Sequence, residues 1–162
     1  MSKMIGEWFA TDAERAYVLR VESLFGRVPG GPPAKGSVES ILAAFRAGRA
    51  PRVFEDRTVS PTYIVDAADA TFQLIERACA PGIYHLVCSG QATWLEFALE
   101  AARLMGIPPR VEPVKVADVS LRAKRPQYCA LSNAKLAGQG VTMPTWQDAL
   151  ARHLTSPGAA GQ

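Results

Sequence analysis

Three kinds of side chain in this sequence could do chemistry, and they stand far apart. The stretch LRAKRPQY, Leu121 to Tyr128, gathers Arg122, Lys124 and Arg125 within four residues. Guanidinium forks match phosphate oxygens two bonds at a time, so the cluster reads either as a solvated loop or as a cradle for one phosphorylated small molecule. The opening MSKMIGEW sets Ser2, Lys3, Gly6 and Glu7 as in the middle of a helical motif, although Met1 is its first residue. Thiols and imidazoles are sparse. Cys79, Cys88 and Cys129 are odd in number and form no CxxC, which fits reduced, mostly buried cysteines. His85 falls inside a strand pattern and His153 near a frayed C-terminus; two distant histidines without clustered carboxylates argue against a metal site.

The elements that must position these residues belong to one domain. A chain of 162 residues, 48% apolar and 20% charged, is long enough for a single sizeable core. Its net charge of +3 is spread among acidic residues, so nothing marks it as a nucleic-acid binder. No apolar stretch approaches the roughly 20 residues of a membrane span. No secretory signal opens the chain, and a cytoplasmic address with no membrane partner is the default.

Helix and strand alternate along the chain. Ile5, Trp8, Phe9 and Ala13 recur at helical spacing, predicting a helix over residues 2–14 that buries this stripe. The β-rich run from Tyr17 to Val21 predicts a buried strand ending by Gly26, and GRVPGGPPAKG a loop. Ser37 can cap a helix through Phe45 that Gly48 ends. PRVFED reads as a short strand, RTVSPTYI as a turn and extended segment, and Val65 to Cys79 as a helix with Ala68, Phe72 and Ile75 on its apolar side. IYHLVCS is a strand. Thr93 and Glu96 then form a capping-box pattern before a helix holding Leu95, Ala98, Leu99 and Ala102, closed at Gly106. RVEPVKV suggests a last strand, with two short helices near Ser132 and Pro144 and a disordered tail over 155–162.

This alternation implies an α/β fold with at least part of a parallel sheet. Such domains carry their phosphate-binding glycines in the first βα turn, yet no G-x-G-x-x-G follows a strand here, so the chain holds no complete cofactor site.

Six ordered blocks, SKMIGE, LRVESLFG, VFEDRTVSPTYIVDAADA, GIYHLVCSGQATWLEFALEAARLMG, RAKRPQYCALSNAKL and PTWQDAL, resemble the C-terminal half of the extended short-chain dehydrogenases. Within that superfamily they are most similar to the dTDP-4-dehydrorhamnose reductase family. The resemblance covers Ser2 to about Leu154. It implies an α/β fold class made of the last Rossmann-like strands, at residues 16–22 and 83–88, plus a small substrate-binding lobe within residues 1–154.

In that superfamily a Tyr-x-x-x-Lys pair acts on the substrate carbonyl. Residues i and i+4 share a helix face, and the ammonium favours phenolate, lowering the tyrosine pKa from its free value of roughly 10. The resemblance assigns Lys3 as that lysine, which also reaches the cofactor ribose, and puts the tyrosine before Met1. It further implies that Ser23 approaches the nicotinamide of NADPH or NADH. Arg125 would approach the nucleotide diphosphate, and Asp56 and Thr62 would lie at the edge of the substrate cleft. Trp94 and Glu96 match a recurring block and read as helix-entry packing and capping.

There are departures. Arg57 and Val59 stand where the reductases usually have Gln and Gly, and Ser23 replaces an aromatic residue. The implied function is the substrate-binding half of an NAD(P)-dependent reductase of a 4-keto sugar nucleotide, with a dTDP-sugar as partner. A related epimerase or dehydratase and a non-catalytic binding or regulatory module are the alternatives. The isolated chain is expected to be inactive as a reductase. Its unpaired strand edge and apolar face are expected to favour an oligomer or pairing with an N-terminal half.

Overall fold

The β-rich run after Ala16 forms two short strands rather than one. In the computed structural model, which describes residues 2–28, 36–120, 123 and 125–156, β1 (Tyr17–Arg20) and β2 (Leu24–Phe25) are separated by a break at Val21–Ser23. Ser23 has φ 44°, in the left-handed region that interrupts a strand. Each piece then takes a different partner. β1 pairs in parallel with β6 (Gly82–His85), and β2 in parallel with β5 (Thr62–Tyr63).

Two further pairs complete the strand set. β3 (Arg52–Phe54) runs parallel to β8 (Glu112–Val114), and β4 (Thr58–Val59) antiparallel to β7 (Ala92–Thr93). Parallel β1 and β6 are joined through the intervening lobe, and both expected Rossmann-like strands are present. In the second of these, regular pairing stops at His85, while Leu86, Val87 and Cys88 continue into the core.

Among the described residues six helices pack with these strands: α1 (Ser2–Thr11), α2 (Ser37–Arg46), α3 (Ile64–Glu76), α4 (Trp94–Leu104), α5 (Ala134–Ala137) and α6 (Trp146–Thr155). At the centre lies α4, whose Phe97, Ala98, Ala101 and Ala102 are fully buried. The alanines let neighbouring backbone approach closely. Phe97 meets Trp94 at 5.8 Å, Trp146 at 5.6 Å and Phe25 at 6.1 Å between ring centroids, so α4, α6 and β2 share one aromatic core. Burying a side chain of this size contributes about 1.5–3 kcal/mol. The Thr93–Glu96 capping box forms in full, fixing where α4 begins.

Helical periodicity alone misplaces several faces. The α1 stripe is exposed: Trp8 and Phe9 are 62% and 74% accessible, and no residue of this helix is buried. The period identified an apolar stripe, but among the described residues no layer covers it. On α3 the buried side is Asp66, Ala67, Ala70 and Leu74, whereas Ala68, Phe72 and Ile75 face outward. On α4 Leu99 is exposed. Ser37 is the first residue of α2, and Gly36, which has no side chain to cap it, takes the N-cap place.

His153 is not at a frayed end. It is 2% exposed on the inner face of α6, and the helix runs through Thr155. The helix near Pro144 is ten residues long rather than short. Residues 157–162, the glycine- and proline-rich 29–35, and Arg122 and Lys124 of the basic cluster lie outside the described residues.

Candidate functional site at the carboxyl ends of the parallel strands

In open α/β sheets ligands sit beyond the carboxyl ends of parallel strands. At that end of β1 the chain turns through Val21, Glu22 and Ser23. The Glu22 carboxylate accepts a 2.6 Å hydrogen bond from Ser23 Oγ and another, also 2.6 Å, from Ser60 N. Thr62 N donates to Ser23 O at 3.2 Å, closing the bracket from the other strand. Burial pushes the Glu22 carboxyl above the usual carboxylate range, opposed by the bonds from Ser23 and Ser60 and by the charge of Arg57.

An ion pair ties α1 to the end of β1. Arg20, the last residue of β1, donates two bonds to Glu7, at 3.0 and 2.7 Å. Since α1 runs back along β1, the residue one turn before Glu7 lies about 6 Å further along the helix axis, on the same face. That residue is Lys3, which is exposed.

Joined to this edge through Ser60 and Thr62 is the turn between β3 and β5, backed by residues 125–131. Asp56 accepts bonds from Val116 N at 3.0 Å and Gln127 Nε2 at 2.8 Å, which start the 3-10 turn Val116–Asp118. Its carboxylate therefore braces the loop. Thr58 N donates to Gln127 O at 2.7 Å and Cys129 N to Thr58 O at 2.9 Å. Ser60 Oγ accepts from Leu131 N at 3.0 Å. Thr62 departs from the sequence expectation: it is fully buried with its hydroxyl donating to Ser60 O at 2.9 Å, so it holds the wall instead of offering a ligand contact. Arg125 is exposed. Arg57 Nη2 approaches Cys129 Sγ at 3.8 Å, and its Nε is buried without a hydrogen-bond partner.

Alongside lies a cleft of about 720 Å3, lined by the first turn of α2 (Gly36, Ser37, Ser40), Arg49, Arg52 and Phe54, with buried Trp94 at its base. The first N–H groups of a helix lack intrahelical partners and carry the positive end of its dipole, and among the described residues no side chain caps those of α2. Arg52 pairs only loosely with Glu112, at 3.6 Å between exposed groups. Uncapped N–H groups, two arginines and an apolar floor together suit a flat ring joined to an anion.

Behind the cleft, α6 is clamped to α3 by a two-bond ion pair. Arg152 donates to both oxygens of Asp66 at 2.8 Å, and its Nε lies 2.8 Å from Asp148. Cys88 packs against Asp66 at 3.9 Å; burial pushes its thiol up to about 11. His153 Nε2 lies 3.2 Å from Glu39 Oε1, off the line of a good hydrogen bond, between the rings of Phe25 and Tyr63. That contact holds the Glu39 carboxyl below the usual range, helped by Arg27 and Arg46.

Ser23 thus lies at the carboxyl edge of β1, Lys3 is exposed one helical turn before the Glu7 that pairs with Arg20, and Asp56 and Thr62 brace the adjoining loop. Sequence reasoning missed Glu22, Ser60, Arg49 and Arg52. An acid directly after an apolar strand, and two arginines just after Gly48, were the available signals.

These features define the substrate-binding portion of an extended short-chain dehydrogenase: parallel strands with a polar carboxyl edge, beside a lobe carrying a cleft. Residues 1–157 match the RmlD substrate binding domain, and the chain belongs to that family. It is 29% identical over 160 residues to the spore coat polysaccharide biosynthesis protein SpsK of Bacillus subtilis (strain 168), covering 98% of this chain and 54% of that protein. It is 34% identical over 107 residues to the dTDP-4-dehydrorhamnose reductase of Mycobacterium tuberculosis (strain ATCC 25618 / H37Rv), covering 65% of this chain and 35% of the relative. The solved dTDP-4-dehydrorhamnose reductase of Bacillus anthracis str. Ames, in complex with NADP, superposes with a TM-score of 0.82 at 26% identity, over 94% of this chain and 53% of that one. The chain spans about half the length of such relatives.

Proposed function

We propose that this chain is the sugar-nucleotide-binding half of an NAD(P)H-dependent reductase of a 4-keto sugar nucleotide, with a dTDP-sugar as substrate. The observation that supports the reading is the Arg20–Glu7 pair, which ties α1 to the last residue of β1 with Lys3 one helical turn away from Glu7. A lysine there suits the superfamily's carbonyl chemistry: its ammonium lowers the pKa of a neighbouring phenol that protonates the developing alkoxide. When bound, a reduced nicotinamide supplies the hydride. Lys3 and Ser23 would meet its ribose and ring end; the residues at this edge fit that part of the cofactor. The phosphate-binding glycine turn is not among the residues of this chain.

Each wall has a role in this reading. The α2 first turn, Arg49 and Arg52 take the nucleotide diphosphate in the cleft, and Arg125 closes over it from the facing loop. Asp56 and Thr62 keep that loop and the β4–β5 turn in register. The 162-residue chain then binds dTDP but turns over no substrate by itself.

Calorimetric titration with dTDP tests the binding. Replacing Arg49 and Arg52 together by alanine removes charge-assisted bonds of about 1.5–3 kcal/mol each, so affinity should fall at least tenfold. Unchanged dTDP binding in that variant sinks the assignment of the cleft. Oxidation of NADPH by the pure chain with a dTDP-4-keto sugar sinks the half-enzyme reading.

A further inference from the structure

We infer that Glu22 and Ser23, braced from behind by buried Ser60, form a sugar-recognition wall, and that this wall selects a sugar presenting a hydroxyl group to it. The inference rests on the sugar-nucleotide reading above and deepens it by naming what determines specificity within that site.

The wall is built for hydrogen bonding. A carboxylate offers about four acceptor positions. Glu22 uses one on Oε1 for Ser23 Oγ and one on Oε2 for Ser60 N, which leaves each oxygen a second lone pair. Ser23 Oγ spends its proton on Glu22 and keeps acceptor capacity of its own. Both residues are only half-buried, at the end of β1 where a ligand would stand. The groups on offer are therefore acceptors, which match hydroxyl donors and not an apolar ring face.

Its backbone is held under strain to make that presentation. Ser23 adopts φ 44° although it is not glycine, and such strained residues cluster at ligand sites. Two bonds fix it there, the one its hydroxyl gives Glu22 and the one its carbonyl accepts from Thr62 N. Ser60 is fixed in turn by Leu131 N, tying the wall to the loop that follows Arg125. Arg57 supplies the compensating charge for a carboxylate in this setting.

The wall also stands at the right reach. Phe54 lines the cleft, and Arg57, whose charge acts on the Glu22 carboxylate, follows three residues later, at most about 11 Å away. A nucleotide diphosphate seated in the cleft can therefore extend its sugar to the wall. Two of the sequence's departures from the reductase pattern, Ser23 in place of an aromatic residue and Arg57 in place of Gln, meet at this point. An aromatic side chain would offer a sugar an apolar face, whereas this pair with Glu22 offers charge and hydrogen bonds.

The experiment compares dTDP with dTDP-glucose by calorimetry on the 162-residue chain, in wild type, Ser23→Ala and Glu22→Gln. Wild type should bind dTDP-glucose about tenfold more tightly than dTDP, the worth of one or two hydrogen bonds to a charged acceptor. Ser23→Ala keeps the Glu22–Ser60 bond and should shrink that ratio severalfold with dTDP affinity unchanged; Glu22→Gln should abolish it. Equal affinity for both ligands in wild type overturns the inference. So does a parallel loss of both ligands in the variants, which is what a purely structural bracket would give. Should dTDP itself fail to bind, the nucleotide reading falls separately. The wall is then read from the amide shifts of Ser23 and Ser60 on adding free glucose: selective shifts uphold it, and their absence overturns it.

Discussion

Removing either partner of the Arg152–Asp66 pair should destabilise the fold unequally, with the arginine the costlier loss. Asp66 is 8% exposed in its side chain and Arg152 41%. In Arg152→Met the Asp66 carboxylate stays inside, beside Cys88, with both of its guanidinium bonds gone. Leaving one charge of a buried pair uncompensated costs about 3–5 kcal/mol. Loss of the Tyr63 contact, 5.6 Å from guanidinium to ring centroid, adds about 0.5 kcal/mol, and the exposed Asp148 pair adds little.

In Asp66→Asn the reverse holds. Arg152 keeps an amide oxygen to bond, keeps Asp148, and can turn toward water, so the cost should be about 1–2 kcal/mol. Urea unfolding followed by tryptophan fluorescence suits the measurement, because Trp94 and Trp146 are buried in the core that α6 completes. A loss of about 3 kcal/mol corresponds to roughly 6–12 °C in Tm for a chain of this size. The double variant should cost less than the sum of the two, since the stranded carboxylate is gone. If Asp66→Asn proves as costly as Arg152→Met, the argument from unequal desolvation is refuted.

Three other outcomes follow from the same coordinates. The carboxyl carbons of Glu22 and Glu39 should titrate on opposite sides of the ordinary glutamate range, Glu22 above and Glu39 below. Glu39 then contributes stability that is lost as pH falls through its lowered value, whereas Glu22 contributes stability present at low pH and lost as pH rises through its raised value. NMR titration checks both, and a reversed order contradicts the burial and ion-pair reasoning. Gly26→Ala should lower stability by more than 2 kcal/mol, a figure on the order of overpacking plus backbone strain. At φ 118° the added Cβ would stand 2.7 Å from the Tyr63 ring, and a Tm within 2–3 °C of wild type, about 1 kcal/mol, would show that the ring moves freely. Thr93→Ala removes the capping box of α4 and should cost about 1 kcal/mol in urea unfolding, whereas Thr93→Asp, which can still cap, should cost much less.

Local chemistry was legible in the chain where it acts over a few residues. The Thr93–Glu96 box, the strand at Arg52–Phe54, the break at Gly90 and the helix ends near Gly48 and Gly106 each depend on neighbours within about one turn, and they stand as read. The family was legible because six short blocks keep their order, and residues 1–157 carry that match. Periodicity also identified apolar stripes on α1 and α3 correctly as stripes. It could not say which stripe is covered, because cover depends on other elements: the buried side of α3 is the one carrying Asp66, reached by Arg152 from 86 residues away.

Tertiary structure decided the rest. Glu22 is an ordinary acid until the break at Ser23 turns its carboxylate onto Ser60 N, 38 residues on. His153 is a terminal histidine by position and a core residue by packing, because α6 lays it between Phe25 and Tyr63. The cleft joins the α2 first turn to Arg49 and Arg52 only through the return of β3 beneath Trp94. Caps, turns and motif order follow from the sequence alone since their partners are near in the chain. Faces, ion pairs and the site's walls join residues distant in sequence, and only the packed core brings those within bonding distance.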